Sequence, residues 1–136
     1  MQLSDTLKIA ASGMKAQGDR LRVVAENIAN ADSTGATPGS EPYRRKIVMF
    51  QNVLDREMGV ERVKVVKRTH DQSDFNKEFN PTHPAADEQG YVLYPNVNTI
   101  VEMMDMREAR RGYEANLNMI EISKAMLTRT IDLLRG

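Results

Sequence analysis

Apolar residues recur along the first 30 positions in steps of four and three: Leu3, Leu7, Ala10, Met14, Gln17, Leu21, Val24 and Ile28. All but Gln17 are apolar, a seam sustained for almost four heptads, and the residues between them are Ser, Asp, Lys, Gln, Arg and Glu, as a solvated face requires. The pattern predicts a helix over roughly residues 3 to 30, about 40 Å long at ~1.5 Å per residue.

A second seam runs Thr99, Met103, Met106, Arg110, Tyr113, Leu117, Ile120, Lys124, Leu127, Ile131 and Leu134. Beside it lies a further stripe, Met119, Ile122, Met126 and Leu133, so the last third of this helix is apolar over most of its girth. One partner helix cannot cover such a surface. Two readings follow. In one, the helices form an antiparallel pair within the chain, closed by a hairpin, and leave the apolar C-terminal end as a patch prone to association. In the other, the second helix contacts several neighbours at once, and Met103, Met104, Met106, Met119 and Met126 adapt its surface to non-identical partners.

Between the helices, YRRKIVMF at 43–50, VERVKVVKR at 60–68 and YVLY at 91–94 have the composition of short strands, the second with Val63 and Val65 on one face, Arg62 and Lys64 on the other, and Gly59 in the turn ahead. Residues 69–89 are loop-rich, with Pro81 and Pro84 breaking regularity. The predicted fold class is therefore mainly α with a small β-rich middle: long N- and C-terminal helices packing as a coiled coil, with a β-hairpin and loops inserted between them. The boundaries fall at 1–32, 33–98 and 99–136, as segments of one structural unit, because the middle has little core of its own.

Composition narrows the function. Nineteen basic and 19 acidic side chains cancel, so no long-range field recruits nucleic acid or an anionic membrane. The absence of cysteine removes disulfides, thiolate zinc sites and thiol nucleophiles. The N-terminus carries Asp5 and lacks the apolar core of a secretory signal, and no run reaches the ~20 apolar residues a bilayer span needs. His70, Asp71, Asp74, His83, Asp87 and Glu88 are metal-ligand types without a ligand spacing, and His83 between Thr82 and Pro84 suits a turn cap better. STGATPG at 33–39 follows a helix and has no Lys, unlike a phosphate loop, and no G-x-S-x-G elbow occurs. No catalytic, metal or cofactor site is expected.

Asn27 and Asn30 end the first helix, and Thr37-Pro38 and Glu41-Pro42 keep it from resuming. Lying beside the seam, their amides are also candidates for polar contacts that fix register with neighbouring chains. AASGM at 10–14 followed by NIANADSTG at 27–35 resembles the N-terminal motif of bacterial flagellar rod, hook and hook-associated proteins. PYRRK at 42–46, NPTHPAADEQGYVLYPNVN at 80–98, EMMDM at 102–106 and RGYEANL at 111–117 are similar to a proximal-rod branch of that family, from which the ATPGSE segment at 36–41 departs by looking slightly longer.

The resemblance implies a structural subunit, not an enzyme, whose terminal helices pack as nested coiled coils on assembly. It implies a place in the periplasmic rod of the basal body, which carries torque from motor to hook and lines the export channel, reached through the flagellar type III apparatus without a cleaved signal. The neighbours it implies are further copies of the chain, the rod proteins FlgB, FlgF and FlgG, and the basal adaptor FliE. The residues expected at the assembly interface are Leu3, Leu7, Met14, Leu21, Val24, Asn27, Ile28 and Asn30 on the first helix, with Tyr113, Leu117, Ile120, Leu127, Ile131 and Leu134 on the second. Two alternatives remain at this stage: a metal-dependent enzyme built around His70 and His83, and a self-contained helical adaptor that folds as a monomer.

Overall fold

The computed structural model describes residues 3–57 and 59–136, so the first two residues of the expected N-terminal segment lie outside it. Two long helices, α1 (Leu3–Ala29) and α2 (Thr99–Arg135), flank strands β1 (Lys46–Asp55), β2 (Val60–His70), β3 (Asn76–Phe79) and β4 (Tyr91–Tyr94). The strands form two separate pairs, β1 with β2 and β3 with β4. The chain divides into two compact units: one of Met1–Leu21, Met49–Lys67 and Arg107–Gly136, the other of Arg22–Val48 and Arg68–Met106.

In the first unit the helices run antiparallel. Gly13 faces Asn116, Gln17 faces Gly112, and Arg20 forms an ion pair with Glu108 at 3.4 Å, so each step along α1 is matched by an equal step back along α2. The seam is narrow. A Cβ at Gly13 would lie 2.9 Å from the Asn116 side-chain nitrogen, and one at Gly112 would lie 3.2 Å from Gln17 Cδ, so absent side chains are what let the backbones approach. Ala10, Ala16, Ala109 and Ser123 are buried in the same unit. Continuing the register brings Leu3 level with Met126. Beyond that point α2 has no described stretch of α1 beside it, and Leu133 and Leu134 are 83% and 84% exposed. On the other side of α1, Ser12 Oγ accepts from the Val63 N–H of β2 at 3.3 Å, so β2 is the strand nearer α1 and β1 the outer one.

In the second unit the strand boundaries depart from expectation. Residues 43–45, expected at the head of a strand, are held by side chains from elsewhere, and β1, paired with β2, runs on to Asp55. Asn76–Phe79, expected as loop, is a strand. It pairs antiparallel with β4, Asn76 opposite Tyr94 and Phe79 opposite Tyr91, and the Phe79 and Tyr91 rings meet edge to face at 5.4 Å. Gly90, at φ 84°, turns the chain back into β4. Val92, Pro95 and Val97 are buried, and Asn98 then caps α2, its Oδ1 accepting from the N–H groups of Ile100 at 3.1 Å and Val101 at 3.4 Å.

Gln17, the one polar position in the first apolar seam, has its Oε1 buried with no hydrogen-bond partner among the described residues. A buried acceptor left unmade costs about 1–3 kcal/mol, and Met has nearly the same shape. Gln17→Met is therefore expected to stabilise the chain by about 1 kcal/mol, read as a higher urea midpoint at unchanged slope.

Candidate assembly surface and its buried junction

Asn27 is 1% exposed at the C-terminal end of α1, and its amide uses all of its hydrogen-bonding capacity inside the chain. Its Nδ2 donates to the Lys46 carbonyl at 2.9 Å and to Glu102 Oε2 at 3.3 Å. Its Oδ1 accepts from the Lys46 N–H at 2.9 Å and the Tyr43 hydroxyl at 2.8 Å. The sequence leaves Asn27 free to bond a neighbouring chain; the fold gives its four bonds to three segments of the same one. Asn30 acts locally, its Nδ2 donating to the Glu26 carbonyl at 2.9 Å and its Oδ1 accepting from Ser33 Oγ at 3.1 Å, which closes the last turn of α1.

Glu102 is fully buried, and its second oxygen accepts from Arg45 Nε. Arg45 also reaches Asp71 at 3.4 Å and Asp105 at 3.8 Å, while its backbone carbonyl accepts from the Asp71 N–H at 2.8 Å. Asn96 completes the circle: its Oδ1 accepts from the Arg45 N–H at 2.8 Å and its Nδ2 donates to the Asp71 carbonyl at 3.0 Å. Burial works against the Arg45 cation, but Glu102 and Asp71 outweigh it and its pKa is raised. Hydrogen bonds from Ser73, and then from Arg45, hold the Asp71 carboxyl below its ordinary value of 3.8, and the Lys46 ammonium at 2.9 Å holds Glu26 below 4.5. Burial pushes the Tyr43 hydroxyl up. This polar junction was not legible as a site, although the sequence shows its parts: YRRK, the Asn pair, and an acid in the first turn of α2.

The metal-ligand residue types of the middle segment, weighed as the rival reading, do not gather. Among the described residues no group of three or more His, Asp or Glu is arranged to hold an ion. His83 Nδ1 accepts from the Ala85 N–H at 3.0 Å and its Nε2 faces Thr34 Oγ1 at 3.4 Å, Asp87 caps the N–H groups of Gln89 and Tyr91, and His70 is exposed.

The residues expected at an assembly interface divide by helix. On α1, Val24 is buried and Leu3, Leu7, Met14, Leu21 and Ile28 are half-buried. On α2, Tyr113 and Ile120 are half-buried, while Leu117, Leu127, Ile131 and Leu134 are exposed. The buried and half-buried positions of α2 include Glu102, Ala109, Asn116 and Ser123, a strict seven-residue repeat of small or polar residues. The bulkier repeat one position later, Met103, Arg110, Leu117 and Lys124, points outward. The apolar stripe of Met119, Ile122, Met126 and Leu133 is likewise exposed. The helix is thus turned so that its small residues meet α1 and, apart from the half-buried Met106, Tyr113 and Ile120, its large apolar residues meet solvent. Among the described residues no helix is long and apolar enough to cross a membrane, so that face is not a bilayer span.

Asn27→Asp keeps the shape but replaces the donor with a carboxylate beside Glu102, and is expected to lower stability by about 2–4 kcal/mol in urea unfolding at pH 7. For the unaltered chain the signs of the shifts fix the pH dependence. Asp71 and Glu26 titrate lower folded than unfolded, so their contribution is complete above the ordinary values of 3.8 and 4.5 and is lost as pH falls through the depressed ones. Urea midpoints measured stepwise below pH 4.5 should fall, and Asp71→Asn should flatten that fall.

Two family models match the chain: "Flagella basal body rod protein" over residues 7–37, and "Flagellar basal body rod FlgEFG protein C-terminal" over residues 88–133. A relative from Agrobacterium fabrum (strain C58), flagellar basal-body rod protein FlgC, is 56% identical over 134 residues, covering 98% of this chain and 96% of its own length. Proteins of the same name from Bacillus subtilis (strain 168) and Salmonella typhimurium (strain LT2) are each 38% identical; the first covers 94% of this chain and 95% of its own length, the second 98% of each. With identity at this level over nearly its full length and both rod models matched in order, the chain belongs to the FlgC family of flagellar basal-body rod proteins, a family of structural rod subunits.

Proposed function

We propose that the chain builds the proximal rod of the flagellar basal body, the segment that transmits torque from motor to hook and lines the export channel. The observation that carries this reading is the outward apolar surface of α2: Leu117, Met119, Ile122, Met126, Leu127, Ile131, Leu133 and Leu134 are all exposed in the isolated chain. A contiguous apolar surface of this extent marks an association site, and each such side chain buried contributes roughly 1.5–3 kcal/mol of apolar transfer. Several neighbours are needed, because the residues lie on more than one side of the helix. Leu3, Leu7, Met14, Leu21, Val24 and Ile28 support the assembled state from α1, and Asn27 and Asn30 support it by fixing how α1 ends.

In this reading the subunit reaches the periplasm through the flagellar type III apparatus without a cleaved signal peptide. It then stacks with further copies of itself, with FlgB, FlgF and FlgG, and with the adaptor FliE at the base. Stiffness comes from interlocked helices, so torque is carried by the assembled surface and by no single side chain. An isolated copy leaves the end of α2 uncovered, so addition is favoured where the growing tip offers complementary helices.

Leu127→Asp places a charge in the surface that must be buried. The variant is expected to be synthesised at the normal level but to be missing from isolated basal bodies, with motility lost. Motile cells with the variant in their rods would exclude Leu127 from the assembly surface.

A further inference from the structure

The β1–β2 hairpin carries a second uncovered apolar patch. From Ile47 to Leu54 the sequence IVMFQNVL has no charge, no Pro and no Gly, and Met49, Phe50, Val53 and Leu54 are all exposed. Alternation puts Phe50 and Leu54 on one face of the strand and Met49 and Val53 on the other, so both faces are apolar and open. The two strands differ. β2 lies nearer α1 through the Val63–Ser12 hydrogen bond and carries exposed charges at Glu61, Lys64, Lys67 and Arg68, whereas the outer β1 has none between Lys46 and Asp55. A long outer strand without charge is a liability that soluble proteins usually guard against, and here only β2 is guarded. Such a strand is expected to have a partner.

We infer that β1 packs on the exposed C-terminal stripe of α2 in a second copy of this chain. Three observations select that occupant. The patches are comparable in extent: Met49 to Leu54 spans about 17 Å at ~3.3 Å per residue, and the stripe from Met119 to Leu133 spans about 21 Å at ~1.5 Å per residue. Their flanks carry a small excess of opposite sign: the hairpin tip exposes Glu57 and Glu61 against Arg56, and the stripe is bordered by exposed Lys124, Arg129 and Arg135 against Glu121 and Asp132. Each patch is open in the isolated chain, and Met126 and Met119 supply side chains that mould to a strand. Because the two patches differ, the contact is heterologous: each copy offers its hairpin to one neighbour and its helix end to another. A contact of that kind propagates from copy to copy and does not close on itself as a twofold dimer does. The inference rests on the rod reading, since it needs neighbouring copies in one assembly.

The chain has no cysteine, so introduced thiols report contacts without background. Val53→Cys and Met126→Cys chains, each carrying one thiol, are produced together in flagellated cells, and isolated basal bodies are treated with a short bis-maleimide. A disulfide-independent dimer that contains one chain of each kind, and that neither variant gives alone, is the expected result. A dimer from Val53→Cys alone would mean that strands of two copies pair edge to edge, and a dimer from Met126→Cys alone would mean that helix ends pair; if the mixed product is absent, either overturns the inference. No dimer in any combination, with both variants present in the basal bodies, also overturns it and leaves the rod reading standing. Absence of the unaltered chain from basal bodies would overturn the rod reading and this inference together. Should either variant fail to incorporate, Met49→Cys with Ile122→Cys tests the same contact at the other end of both patches.

Discussion

A single buried amide, Asn27, fixes where α1 stops and what it stops against. Its two donors and two acceptor positions are satisfied by Tyr43, Lys46 and Glu102, which belong to the loop after α1, the start of β1 and the first turn of α2. Around it, Glu102 is held by Arg45, and Arg45 by Asp71 and Asn96. In water each of these groups would have many alternatives; in a low-dielectric site an unmet donor or acceptor is penalised, so only one arrangement of the segments is free of that penalty. The junction therefore specifies geometry more than it adds stability. That suits the rod subunit proposed above, whose helices present fixed positions to others.

The orientation of α2 follows the same logic from the opposite direction. In the first unit, close approach to α1 favours small side chains, and Ala109, Gly112, Asn116 and Ser123 supply them. Apart from the half-buried Met106 and Ile120, the leucines, isoleucines and methionines are then left on the outside. For a protein that worked alone this would be an error of design; in the assembly proposed above it divides labour between a narrow internal seam and a broad external one. Small residues permit the backbones to come together, whereas bulky ones give the area that association needs.

Much of the fold was legible in the sequence because its signals are periodic and local. The seam from Leu3 to Ile28 located α1, which ends at Ala29, the apolar positions from Thr99 onward located α2, and YVLY located β4. The signal failed where a strand exists only through its partner. Asn76–Phe79 reads NKEF, four exposed residues with no alternation, and is a strand because Tyr91–Tyr94 offers an edge and Tyr91 a ring for Phe79. Tyr43 to Arg45 looked like strand because they are large and partly apolar, yet their groups are claimed by Asn27, Asn96, Glu102 and Asp71.

The sequence by itself determined the two helices, their amphipathic surplus, the lack of thiol and metal chemistry built on cysteine, and through the ordered motifs at both ends the family. Those properties depend on residue type and spacing along one chain. Only the tertiary structure decided which side of α2 is internal, that Asn27 bonds within the chain, and that β1 is the open strand of its hairpin. Each of these depends on which groups from distant positions satisfy one another first. A hydrophobic count ranks Leu117 above Asn116 as an inward residue. The structure reverses them, because a narrow helix contact admits the smaller side chain, and the larger one is left exposed.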